Sequence, residues 1–574
     1  YEYISSSTFG EMKCHHIPET GNSFSLSEWF EAKMSVTAEN LYDYEADVLV
    51  VGSGAAGFSA AISASLSGAS VILFEGNQHV GGTTGLSGGT AWVPNNSSMR
   101  SQGVDDPKDH ALEYLARLAA PQYFSPNHPT LGLPQNEFDL LATFYDEGAT
   151  TIDALTKVGA LDLVAEVHDT DHYIQFPDYG AHLPENRAPR GRHLAPRPGS
   201  GFMIQQLKRG AADRDVTVLL EHQVHDTILN EADEVVGLEI RAGHRTVIAA
   251  ARRGVVFASG GFGQNGELLR RHIPGRVFGS CATPHAQGDF LRIANRLGAS
   301  FGQMSGAWWK QIVVEPALRS PSPPSLWMPF GDSMIQVDRT GRRVVNEKAP
   351  YHDRGQVHLH YSATSRDFPN TLLFMIWDRV VADSPLDVPF RPPVPLPNEQ
   401  LDYVIEAPDL GALSEAIDQR LTQLGDSIGD VRLSDDFVQN LHDTVNRFNN
   451  FAVEGVDHDF QRGSTMMELA WNLMERDGSP NPTMAPLADN GPYYASIVGA
   501  GVLDTNGGPL INTEAQILGF DLQPIVGLYG AGNCVATPAG AAYWGPGTTI
   551  GLALTYGFIA GRNAAREPEK SLTP

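Results

Sequence analysis

The chain has 574 residues, 42% of them hydrophobic and 19% charged, with a formal net charge of −27. That length suits two domains or one elaborated domain, and the acidic balance repels phosphate backbones, so no nucleic-acid partner is expected. No apolar run of about 18 residues occurs, so no transmembrane segment is expected.

Residues 1–44 lack a basic stretch followed by an apolar core. They read as an extension packed on the body rather than as a signal peptide. Ala46–Val51 is an apolar strand that runs into Gly52-Ser53-Gly54-Ala55-Ala56-Gly57. Phe58–Leu66 then carries small residues at helical spacing, and Val71–Phe74 is a second buried strand ending at Glu75 and Gly76. Strand, glycine turn, helix, strand and acid form a dinucleotide-binding unit. Its glycines permit a tight turn, close approach of backbone to a pyrophosphate and close helix–strand packing, while the acid is placed for a ribose. The segment that follows supplies Gly81, Gly82, Thr83 and Thr84, then Ser87, Gly88 and Gly89. Such glycine pairs let main chain approach a flat ring, with hydroxyls beside it.

Arg253–Gly261 is another strand entering a glycine turn, with Ala258, Ser259 and Gly260 expected at the same cofactor. Near the end, Gly527–Asn533 repeats the pattern, placing Gly532 and Asn533 there. Thr548, Thr549 and Ile550 head a helix running to about Arg562. Strands alternating with helices predict an α/β fold with a doubly wound, Rossmann-like parallel sheet. The middle differs: 315–330 and 384–397 are proline-rich, and 413–454 has helical patterning with acidic faces. Prolines break helices and central strands. The chain is therefore divided into a discontinuous cofactor domain, 45–303 with 488–574, and an inserted α+β catalytic domain, 304–487. Cys14, Cys281 and Cys534 lack CxxC spacing and read as ordinary thiols. His358 and His360 are expected on one face of a strand and fit no zinc motif, so no metal is expected.

The Gly81–Gly89 segment resembles the fumarate reductase-like FAD family, in which GG(T/N)(T/S)xxSGG lines the flavin. FAD is the cofactor this implies. It is expected to be non-covalent, because the segment holds no His or Cys and only His79 lies close by. Within that family the sequence resembles the 3-ketosteroid Δ1-dehydrogenases through four stretches. They are Phe176-Pro177-Asp178-Tyr179 with Gly191-Arg192, Gly341–Tyr351, Glu454–Gly463 and Pro538–Gly547; Ala307-Trp308-Trp309 adds a smaller match.

The resemblance implies removal of two hydrogens across the carbon–carbon bond next to a ketone. A base takes the proton α to the carbonyl and the flavin takes a hydride from the β carbon. It makes Tyr351 the base, Tyr179 its assistant, and the Tyr543 hydroxyl with the Gly547 N–H the donors to the carbonyl oxygen. Trp308, Trp309, Trp327 and Trp544 are expected to wall a flat apolar pocket. The implied partners are a 3-ketosteroid and an electron acceptor such as a quinone or dye, in a cytoplasmic protein for which peripheral membrane contact stays open.

Leu503-Asp504-Thr505-Asn506-Gly507-Gly508 departs from the family's xLGTKGG-type ending. The sister activity, Δ4 desaturation of 5α-steroids, usually goes with a serine where this chain has Gly545. Fumarate or enoate reductases place an arginine where Tyr351 stands and a histidine near the TxGG turn, which here holds Leu503-Asp504. A flavin-binding module without turnover is the reading from another class.

Overall fold

The apolar strand Tyr44–Val51 becomes a central strand because Val48, Leu49 and Val50 are fully buried, as a strand covered on both faces requires. The computed structural model describes residues 42–165, 176–320, 329–388, 391, 393–472, 474, 476 and 478–573. Trp327, Cys14 and nearly all of the N-terminal extension lie outside them. Tyr44–Pro574 closes into one compact unit.

Five parallel strands form the heart of the first sheet, in the order Pro524–Gly530, Arg245–Phe257, Tyr44–Val51, Val71–Phe74 and Thr217–Leu219. An antiparallel meander, His222–Leu229 and Val235–Ala242, extends from the long strand Arg245–Phe257. The expected mixed α/β fold with a parallel sheet is observed. The helix Ala55–Leu66 begins three residues earlier than its periodicity suggested, inside the glycine turn itself.

A second, six-stranded sheet is organised by Tyr493–Thr505, which pairs with Val277–Ser280, Ala307–Val313, Leu372–Asp378 and Ile405–Ala407. Chain beyond residue 488 therefore serves both sheets. The acidic helical pattern resolves into Leu410–Leu424 and Phe437–Glu454, whose apolar faces cover a separate core with Phe374, Ile376 and Ile497. His358 and His360 are not on a strand. Pro350 starts a helix at Tyr351, and the chain continues through a single tight turn, Val357–Leu359. His358 is buried there with Nδ1 donating to the Asn370 carbonyl at 2.6 Å, and burial pushes it down to about 4.

The last helix, Thr548–Ala564, crosses Ala55–Leu66 at very short range. A Cβ at Gly557 would stand 2.3 Å from the Ala56 carbonyl oxygen, and one at Gly561 1.9 Å from that of Ala60. Ser59 and Ser63 donate across the crossing to the Leu554 and Phe558 carbonyls, both at 2.7 Å. This crossing sets the N-terminus of the glycine-turn helix against the middle of the last helix.

A buried charge cluster holds the neighbouring loops. The Arg192 guanidinium is 1% exposed and donates to both Asp106 oxygens at 2.9 and 2.7 Å, to Asn186 at 2.9 Å, and to Asp178. Asp178 also accepts from the Trp92 indole at 2.7 Å and from Asn186 at 3.1 Å. Burial works to raise Asp178, but Arg192, His193 and the Trp92 indole together outweigh it and hold the carboxyl below its ordinary range. Replacing Arg192 with Leu leaves two carboxylates buried without their cation. We expect a loss of about 3–5 kcal/mol in denaturant titrations of the loaded protein at neutral pH. Because Asp178 is depressed, the cluster contributes fully at neutral pH and its contribution fades as pH falls through the acidic range. A loss below about 1 kcal/mol, the scale of a surface pair, would contradict this account.

Candidate active site

A cavity of about 1140 Å³ opens where the two helix N-termini meet the edge of the second sheet. Single small-molecule pockets span about 300–1,000 Å³, so this one has room for a dinucleotide and a second ligand. Gly54, Ala55 and Ala56 line it at the glycine turn, and Thr83, Thr84, Ser87, Gly88 and Gly89 line it along the following segment. Ala258, Gly260, Gly532, Asn533, Thr549 and Ile550 complete the wall.

The other expected cofactor residues stand behind that wall and shape it. Gly52 has φ +99°, and a Cβ on Gly57 would lie 1.8 Å from the Gly52 carbonyl oxygen, so neither position accepts a side chain. The Ser53 N–H and hydroxyl donate to Glu75 Oε2 at 3.0 and 2.6 Å, and the Gly81 N–H donates to the Ser53 hydroxyl at 2.9 Å. Gly82 shares the positive φ of Gly81. Gly76 packs on Gln223, Ser259 lies between the lining residues Ala258 and Gly260, and the Thr548 hydroxyl turns back to the Gly545 carbonyl at 2.9 Å. Helix N–H groups with no room for side chains, next to an acid joined to the turn, fit the pyrophosphate and ribose of FAD.

At one end of the cavity three tyrosines converge. Ring centroids lie 5.4 Å apart for Tyr179–Tyr351, 5.4 Å for Tyr351–Tyr543 and 5.6 Å for Tyr179–Tyr543. All three rings are buried. Pro350 places Tyr351 at the start of its helix, and the Tyr179 N–H donates to the Trp544 carbonyl at 2.9 Å. The Tyr351 hydroxyl is flanked by those of Tyr179 and Tyr543, and Tyr543 also faces the Thr549 hydroxyl and the Gly547 N–H. Burial pushes Tyr351 well above the ordinary tyrosine value, with its two phenol neighbours adding to the rise. Tyr179 is raised by burial and by Tyr543, while the Tyr351 hydroxyl and the buried Arg354 guanidinium pull the other way. Burial raises Tyr543 too, tempered by Tyr351, Thr549 and the Gly547 N–H.

Of the tryptophans expected to wall the pocket, Trp308 does so. It meets Tyr543 edge-on at 5.5 Å, and its indole donates to Asn533 at 2.9 Å. Strand alternation turns Trp309 to the opposite face, into a core with Phe262, Ile273 and Val502. Trp544 is also not a wall. It is fully buried behind Tyr543, stacked on Trp92 at 5.3 Å and Phe144 at 5.9 Å, with its indole donating to Leu115. Its place beside Tyr543 in sequence misled, because consecutive residues of a turn point apart.

Three further aromatic residues line the cavity, Phe176, Phe202 and Trp471. Phe176 and Trp471 pack at 5.0 Å, and Trp471 lies 6.4 Å from Tyr351. Phe176 was visible within the Phe176–Tyr179 match, whereas no motif marks Trp471. His352 was also passed over. Its Nδ1 accepts from the Trp309 N–H at 3.2 Å, its Nε2 donates to Ala541 at 3.1 Å, and its ring stacks on Tyr543 at 5.5 Å. Burial lowers it to about 4, so it backs Tyr543 as a neutral ring. The departing residue Asp504 accepts from the Gly261 and Gly263 N–H groups at 3.0 and 3.1 Å and from Asn533 at 3.1 Å, tying the turns of both sheets together.

A cluster of hydroxyls and one backbone N–H at the apolar end of a cofactor-sized cavity can grip a carbonyl oxygen and move a proton beside it. Known proteins agree with this architecture. The FAD binding domain family matches residues 47–550. The 4-oxocyclohexanecarboxylate 2-dehydrogenase of Sinomonas cyclohexanicum is 30% identical over 90% of this chain and 92% of its own. The 3-oxosteroid 1-dehydrogenase of Mycolicibacterium smegmatis is 28% identical over 91% of this chain and 97% of its own. Among solved structures, 3-ketosteroid Δ1-dehydrogenase from Sterolibacterium denitrificans, in complex with 1,4-androstadiene-3,17-dione, superposes with a TM-score of 0.75 at 25% identity, covering 91% of this chain and 99% of that one. Among the described residues no helix is long and apolar enough to cross a membrane. The chain belongs to the FAD binding domain family and is an FAD-dependent oxidoreductase of the group that includes steroid dehydrogenases and fumarate reductases.

Proposed function

We propose that this protein desaturates the A ring of 3-ketosteroids between C1 and C2. The observation that carries the reading is the meeting of Tyr179, Tyr351 and Tyr543 with the Gly547 N–H at the aromatic end of the cavity. In this reading Tyr543 and the Gly547 N–H hold the ketone oxygen and stabilise the enolate as charge develops on it. Tyr351 takes the α proton and Tyr179 shares it. FAD, when bound, supplies the hydride acceptor. Phe176, Trp308 and Trp471 offer flat apolar surface for fused rings. The physiological oxidant in this reading is a quinone-type acceptor.

The Sinomonas relative supports a second reading, a small 4-oxo acid as substrate. Lining charge favours the steroid: among the described lining residues Arg197 is the cationic side chain, and its Nε donates to Asp162 at 3.0 Å. Arg354, the buried cation near Tyr179, is not among the lining residues and so is not placed to meet a carboxylate.

Anaerobic addition of androst-4-ene-3,17-dione to the yellow protein is expected to bleach the flavin and yield a C1–C2 double bond by NMR. Bleaching by 4-oxocyclohexanecarboxylate alone would transfer the function to the second reading, and a C4–C5 product from a 5α-steroid would make it a Δ4 enzyme. Tyr351→Phe is expected to keep FAD and lose about 10²–10⁴-fold in kcat. Because Tyr351 lies above the ordinary phenol value and must be deprotonated to act, the flavin-reduction rate should climb with pH without levelling below about pH 10. A plateau near neutrality would assign the base to another group.

A further inference from the structure

Four consecutive carbonyls of the turn that ends in Gly547 are each held by a separate donor. Trp544 O accepts from the Tyr179 N–H at 2.9 Å and the Tyr114 hydroxyl at 3.0 Å. Gly545 O accepts from the Thr548 hydroxyl at 2.9 Å, and Gly547 O from the Trp92 N–H at 3.0 Å. Pro546 O lies 2.9 Å from Nδ1 of His193, a fully buried side chain. A carbonyl oxygen only accepts, so Nδ1 carries the hydrogen. The other ring nitrogen, Nε2, faces Asp178 Oδ1 at 3.4 Å, a carboxylate paired with Arg192. The ring also fills the space in front of Gly545, where a Cβ would stand 2.6 Å from His193 Cε1.

The Pro546 carbonyl and the Gly547 N–H belong to one peptide group. That bond is trans, since the single cis bond among the described residues is Gly491–Pro492. In a planar trans peptide the C=O and N–H point in opposite directions. A donor that fixes the carbonyl at the rear therefore fixes where the N–H points at the front. Here the front is the cavity side, facing the Tyr543 hydroxyl. A hydrogen bond to the carbonyl also polarises the amide and strengthens its N–H as a donor.

We infer that His193 is a positioning residue of the carbonyl clamp, aiming and polarising the Gly547 N–H through the peptide they share. The buried cluster of Asp106, Arg192 and Asp178 is the rigid footing on which that imidazole stands. The inference rests on the carbonyl-gripping role given above to Gly547, for a steroid or any other cyclic ketone.

Three substitutions separate this role from mere filling of space. His193→Asn keeps an N–H donor near the place of Nδ1, His193→Gln moves it to that of Nε2, and His193→Leu removes it. With whichever cyclic ketone the wild type oxidises, Leu and Gln are expected to lower kcat by about 10-fold or more. That is below the 10²–10³-fold loss for deleting an oxyanion donor outright. KM should change little, FAD content should stay at one per chain, and Asn should remain within about 3-fold of wild type in kcat. Should Leu fail to fold, the Asn and Gln pair decides alone. Equal kcat for Asn and Gln, or a Leu variant within about 2-fold of wild type, would overturn the inference while leaving the enzyme's function intact. A wild-type flavin that no cyclic ketone bleaches would instead overturn the proposed function, and the clamp with it.

Discussion

The crossing of the glycine-turn helix and the last helix is the contact on which the rest of the site depends. Backbone meets backbone there because Gly557 and Gly561 leave no side chain between Thr548–Ala564 and the carbonyls of Ala56 and Ala60. Ser59 and Ser63 bond to carbonyls across the same gap, which discourages sliding. Two helix N-termini are thereby brought to one cavity. One presents N–H groups suited to a diphosphate, and the other begins at Gly547, the donor next to Tyr543. A bulkier contact would move the carbonyl-gripping turn away from the cofactor cradle. A site of this kind tolerates little such movement, because misplacement by about 1 Å is already expensive in rate.

The tyrosine cluster carries an opposing tension. Burial supplies the dry surroundings in which hydrogen bonds to a developing enolate are strong. The same burial raises all three phenols and so works against the base. The residues around them divide the task. Arg354 lies buried one helical turn after Tyr351 and acts electrostatically on Tyr179. Neutral His352 backs Tyr543 without adding charge of its own.

The opening βαβ unit was legible because turn, helix and acid are local in sequence and each has a steric or electrostatic reason for its residue type. Placement of the tyrosines was legible only through resemblance, since nothing local distinguishes Tyr351 from any other amphipathic core residue. What stayed hidden depended on which way a side chain turns. Trp309 and Trp308 are adjacent, yet strand alternation gives the cavity only one of them. Trp544 neighbours Tyr543 but serves the core behind it, while Trp471 reaches the cavity from a stretch with no recognisable pattern. The stretch after Pro350 misled because two histidines spaced by one residue suit either a strand or a tight helical turn. Proline at the head of the segment decided for the turn.

Tyr179, Tyr351 and Tyr543 come from three segments spread over most of the chain, and the strand Tyr493–Thr505 stitches later chain into the sheet beside them. No short fragment of the protein contains the full set. Contacts this distant form late in folding, after the costly closure of long loops. The glycine cradle rests on equally distant contacts, with Ser59 and Ser63 meeting Leu554 and Phe558, so retention of cofactor and chemistry on a ketone both report that far-separated parts of the described chain have met.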